Sequence, residues 1–127
     1  MIIYNVTSQV TPEIEKIWIE WMEKCHLPKV FATNYFEDIS ILKVSMDQPS
    51  DPTFAVQYKA NSNQALKEYL DKDAPFHKNE IRQKFGEQVL FFETYLELVI
   101  KLVQIKIMKT HQKSRIKSIY LFIIHLT

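Results

Sequence analysis

Proton transfer and nucleophilic attack draw on a few side-chain types, and this chain offers Cys25, His26, His77, Tyr4, Tyr35 and Tyr58. Chemistry requires such groups to converge in one pocket. Cys25 and His26 are sequence neighbours, so on a helix they point about 100° apart and cannot make a nucleophile–base pair directly. His26 is the stronger candidate. It ends a helical pattern just before Pro28, where an imidazolium meets the helix C-terminal dipole favourably and a neutral ring can line a cleft as a proton-transfer group. The bland alternatives are a capping or packed His26 and a His77 partly buried on a Phe/Ile stripe.

Trp18 and Trp21 sit on the buried stripe of the same helix, and each ring offers about 2–3 kcal/mol by area, which reads first as core. If the gap between helix and sheet opens, these rings with Tyr4, Tyr58 and His26 would make an apolar lining with polar tips, suited to a small hydrophobic ligand. With four scattered His residues and no His-x-x-x-His pair, no metal site is expected. One glycine cannot build GxGxxG or a P-loop, and a single Cys supports neither an intramolecular disulfide nor a cysteine-based zinc site. No cofactor is expected.

The chain that must position these groups has 127 residues, 46% of them hydrophobic, which is enough apolar mass for one core and too much for a disordered chain. Its charge is split: residues 1–100 carry a net of −5 and residues 101–127 a net of +6, which leaves +1 overall. An acidic body with a basic appendage points to an electrostatic partner or to a solvated tail. No basic region precedes the first apolar residues, so no secretory signal fits. The late apolar run Ile119–Ile124 is about a third of the roughly 20 residues a spanning helix needs. A cytoplasmic location is expected.

Residues 1–10 alternate with period two and predict a strand. Thr11 as N-cap, Pro12 and two early glutamates predict a helix start, with the stripe Ile14, Ile17, Trp18, Trp21, Met22 and Cys25 on a 3.6-residue period. Pro28 predicts a kink or break. Strands over 35–46 and 53–60, joined by Pro49-Ser50-Asp51-Pro52, predict a hairpin. A second helical region begins at Asn61-Ser62, with Asn61 and Gln64 approximating a capping box, restarts at Asp73-Ala74-Pro75 and ends near Gly86. A fourth strand runs from Gln88, with Leu90, Phe92, Thr94 and Leu96 on one face and Val89, Phe91, Glu93, Tyr95 on the other.

The order β-α-β-β-α-β over residues 1–98 predicts an α+β, ferredoxin-like domain: a four-stranded antiparallel sheet with two helical regions on one face. Residues 99–127 form a basic, apolar C-terminal extension. Large residues on both strand faces leave one side of the sheet to be covered, which predicts a homodimer packed face to face or edge to edge.

Met1-Ile2-Ile3-Tyr4-Asn5-Val6-Thr7, Trp18-x-x-Trp21-Met22, His26-x-Pro28-x-Val30 with Ala32-Thr33, Ala55-Val56-Gln57-Tyr58, Tyr69-Leu70 with Ala74-Pro75, and Phe85-Gly86 together resemble the domain-of-unknown-function 4286 family of short bacterial proteins. The resemblance spans residues 1–98 with its blocks in order. It implies a small cytoplasmic α+β protein and brings no established activity, substrate, cofactor or catalytic residue. Asn34 stands where a glycine is expected after Ala32-Thr33, a place Asn can take because it tolerates positive φ. Residues 99–127 lie beyond the resemblance.

Three functions follow as expectations. The first is a non-catalytic homodimeric module that binds a small apolar ligand or a protein partner. The second is a cofactor-independent enzyme on an apolar substrate, with His26 transferring protons. The third is contact of the basic tail with nucleic acid or an anionic membrane surface, its six cations meeting phosphates.

Overall fold

β-branched and aromatic residues alternate through the first ten positions because an extended backbone sends them to opposite faces, and they form strand β1, Ile2–Val10. A computed structural model describes residues 1–105. After β1 come a 3-10 turn (Pro12–Ile14), helix α1 (Glu15–Trp21), a π-helical turn (Met22–His26) and α2 (Leu27–Phe31). Strands β2 (Phe36–Val44) and β3 (Thr53–Ala60) follow, then helices α3 (Asn63–Lys72) and α4 (Ala74–Phe85), a short 3-10 turn and strand β4 (Val89–Glu97).

The sheet order is β2-β3-β1-β4, with every neighbouring pair antiparallel. This is the ferredoxin-like arrangement, in which the two β-α-β halves interleave so that β1 and β3 lie in the centre. Tyr4, Val6 and Val10 of β1 and Phe54, Val56 and Tyr58 of β3 face the helices and are buried there with Trp18, Met22, Val30, Leu66 and Tyr69. Among the described residues no helix is long and apolar enough to cross a membrane.

Several local expectations are corrected. Thr11 does not cap through its side chain: its hydroxyl is buried without a partner among the described residues, while its carbonyl accepts from Ile14 N–H at 3.1 Å. The second helical region is capped by Ser62, whose hydroxyl accepts from Ala65 N–H at 3.0 Å, and Asn61 instead donates to the Asn34 carbonyl at 2.7 Å. β2 is shorter than 35–46 and its register shifts between Phe36 and Asp38. Asn34 does take positive φ, at 65°, and Gly86 lies at φ 56° and ψ −131°, a conformation open to glycine because it has no Cβ.

Pro28 does not break the first helix. Leu27 N–H bonds to the carbonyl of Met22, five residues back, and the wider turn absorbs the donor that proline lacks before Ala32 N–H resumes the α pattern on Pro28. This brings His26, and not Cys25, into the buried row. The residues that face the sheet are Ile14, Trp18, Met22, His26 and Val30, at a constant spacing of four, while Ile17 is 57% exposed and Cys25 half-buried.

The sheet face away from the helices is mixed. Its central strands carry Asn5, Thr7, Gln57 and Lys59, and the apolar residues expected on every strand concentrate on β4. Leu90 and Phe92 there are 60% and 61% exposed, with Leu96 and Leu42 also open. Asn5 is buried in the middle, donating to Thr7 at 3.2 Å and Thr94 at 3.0 Å.

By contacts the chain divides into two units, Met1–Glu97 and a second from Leu98 onward. Residues 98–105 of the second unit form neither helix nor strand. The later part of the basic extension, residues 106–127, with its expected phosphate or membrane contacts, lies outside the described residues.

Candidate functional site

The π turn places His26 in the interior, where it is 2% exposed. Its ring stacks on Trp21 at 5.0 Å between centroids and meets the edge of His77 at 5.8 Å. α4 supplies His77, whose Nδ1 shares a 2.9 Å hydrogen bond with the hydroxyl of Tyr69 on α3. Tyr69 in turn lies 6.3 Å from Tyr4, and Tyr4 lies 5.3 Å from Tyr58 across the β1–β3 pair. The result is a continuous line of rings, Tyr58–Tyr4–Tyr69–His77–His26–Trp21, filling the layer between helices and sheet.

Four of the five expected ligand residues, Tyr4, Tyr58, His26 and Trp21, are therefore joined, though as packing partners through Tyr69 and His77. Trp18 stands apart, 4.9 Å from Phe54, with its indole N–H buried without a partner among the described residues. Tyr35 meets the line at Tyr69, with 6.0 Å between ring centroids.

The electrostatics of the line follow from burial. His26 is pushed down to about 4 by desolvation, with the neighbouring His77 adding to the fall and Glu80 opposing it. Burial also lowers His77, against the pull of Glu80 and Asp73. Tyr4, Tyr58 and Tyr69 are all raised, chiefly by desolvation, and the Glu93 carboxylate raises Tyr4 further. At neutral pH the line is thus uncharged: neutral imidazoles and protonated phenols. His26 Nδ1 has no partner among the described residues, and the same holds for Oε1 of Glu80, whose Oε2 accepts from Lys29 at 2.9 Å.

Open space lies elsewhere. A groove of about 820 Å³ runs between the α1–α2 segment and edge strand β2. Its walls include Ile19, Leu27, Phe31, Ile39 and Ile41, and its polar residues are Glu23, Glu37, Asp38 and Lys43. None of Tyr4, Trp18, Trp21, His26 or Tyr58 lines it. A smaller depression of about 400 Å³ lies near Leu90 and Phe92. Among the described residues, no three His, Cys, Asp or Glu side chains come together as a metal site.

The model of a family described as Domain of unknown function (DUF4286) matches residues 1–99. The chain belongs to this family. Among curated proteins none matches its sequence. Solved structures similar to this DUF4286 domain include an ethyl tert-butyl ether d (EthD) family protein from Bacillus halodurans, at TM-score 0.61 and 14% identity over 78% of this chain and 100% of that one. Another is an antibiotic biosynthesis monooxygenase-like protein from Deinococcus radiodurans, at TM-score 0.53 and 14% identity over 84% of this chain and 100% of that one. At such identity the likeness is one of fold.

Sequence reasoning missed Tyr69 as the partner of His77, and it missed the groove. The first had a faint signal, since Tyr69 and His77 bracket the Asp73-Ala74-Pro75 restart that turns α4 back beside α3. The groove had none, because its walls, residues 19–31 of the α1–α2 segment and residues 37–43 of β2 with Phe54 of β3, come together only in the folded chain.

Proposed function

We propose that this DUF4286 domain is a non-catalytic binding module that works as a homodimer and takes a small apolar ligand in the groove between α1–α2 and β2. One observation carries the reading. The interior rings and histidines occupy each other, whereas the groove offers apolar walls and a volume inside the range of about 300–1,000 Å³ typical of small-molecule sites. The assembly half draws on Leu90 and Phe92, which lie on the outer face of an edge strand beside Leu96 and would gain by being withdrawn from water.

Titration of decan-1-ol into the full-length chain, followed by amide shifts, tests the ligand half. Shifts centred on Ile39, Ile41 and Phe31 are expected; shifts centred on Tyr4 and His26 would move the site into the interior. Sedimentation velocity at micromolar concentration tests the assembly half, and a monomer would remove it.

A second reading, a cofactor-independent enzyme with His26 moving protons, draws on the partnerless Nδ1 of a neutral imidazole held in a π turn, a local form frequent at functional sites. It requires His26→Ala to abolish turnover with little change in melting temperature. An equal loss of stability assigns His26 to packing.

A further inference from the structure

The polar residues of the groove are not balanced. Lys43 is held by Glu15 at 3.0 Å and Glu37 is engaged by Lys59 at 3.1 Å, so both already have a counter-charge. Glu23, on the π turn, and Asp38, beside the register shift of β2 and opposite Lys59 in the β2–β3 ladder, both line the groove. Neither has an ion-pair partner among the described residues.

An apolar groove alone is indifferent to the headgroup of what enters it. Two carboxylates in its lining without an ion-pair partner among the described residues repel an anion and attract a cation. We propose that the ligand class of this groove is an apolar molecule carrying a protonated amine, its hydrocarbon part against Ile39 and Ile41 and its ammonium drawn to Glu23 and Asp38. The inference rests on the groove being the ligand site and specifies what that site selects.

Both carboxylates are exposed, so each contributes modestly, and together they correspond to a preference of about tenfold. The test is calorimetric titration of the full-length chain with decylamine, decan-1-ol and decanoate, which share one chain length and differ in charge. Decylamine is expected to bind about tenfold more tightly than decan-1-ol, and decanoate more weakly than either. The double variant E23Q/D38N should bring decylamine to the level of the alcohol and leave the alcohol unchanged, with an unchanged melting temperature. The control D71N/E87Q, at exposed carboxylates away from the groove, should preserve the preference.

High salt should weaken the amine and spare the alcohol. Equal affinities for amine and alcohol, with amide shifts at Ile39 and Ile41, would overturn the charge selection and leave the groove standing. Amine binding that survives E23Q/D38N without any alcohol binding, or no binding by any of the three, would overturn both.

Discussion

His26 shows how one side chain's role is set by the backbone turn beneath it. Held neutral by burial, it couples folding to pH in a definite direction. In the unfolded chain it protonates near its ordinary value of about 6.5, while in the folded protein the value is about 4, so between these limits the unfolded state binds more protons. Stability is therefore complete above about pH 6.5 and falls as the pH drops toward 4, by up to about 3 kcal/mol for this group, and the lowered His77 acts in the same sense. Urea midpoints from pH 7 to pH 4 should show the decline, and His26→Phe, which keeps a ring against Trp21, should reduce it to the part that His77 contributes. Tyr69→Phe leaves the buried Nδ1 of His77 without its hydroxyl partner, and about 1–3 kcal/mol of lost stability is expected in the same measurement.

Helices and turns depend on a few end residues. Ser62 satisfies one of the free N–H groups at the start of α3, so Ser62→Ala should cost about 1 kcal/mol in denaturant unfolding. Asn61→Ala tests a different bond, the one that ties this corner to Asn34. At the end of α4 a Cβ on Gly86 meets nothing within 4 Å, so the cost of Gly86→Ala comes from backbone conformation alone, about 1–3 kcal/mol. A thermal melt unchanged by that substitution would contradict the conformation assigned to Gly86.

Charge and apolar area are distributed unevenly over the whole molecule. On the outer sheet face, polar Asn5, Thr7 and Thr94 run down the centre while Leu90, Phe92 and Leu96 line β4. An interface built there would place β4 at its heart. Phe92→Lys puts a charge into that interface while changing nothing in the core, because Phe92 is already exposed. The variant should sediment as a monomer with its melting temperature lowered only by the loss of dimerisation; a dimer undisturbed by Phe92→Lys would place the contact elsewhere.

Composition and periodicity by themselves determined the element order, the antiparallel sheet and the restart at Ala74-Pro75, because each follows from local backbone preference or from which faces a strand or helix must bury; the positive φ of Asn34 followed instead from the family resemblance, which sets a glycine there. They also placed Tyr4 and Tyr58 in one layer, since both lie on the inward face of neighbouring strands. Only the tertiary structure decided which residue after Met22 turns inward: a 3.6-residue period selects Cys25, and the π turn selects His26. Only it decided that the rings of that layer fill the space between them, and that an open groove forms beside β2 instead. Both outcomes depend on distances between segments that only the fold brings side by side, and a local pattern carries no measure of those distances.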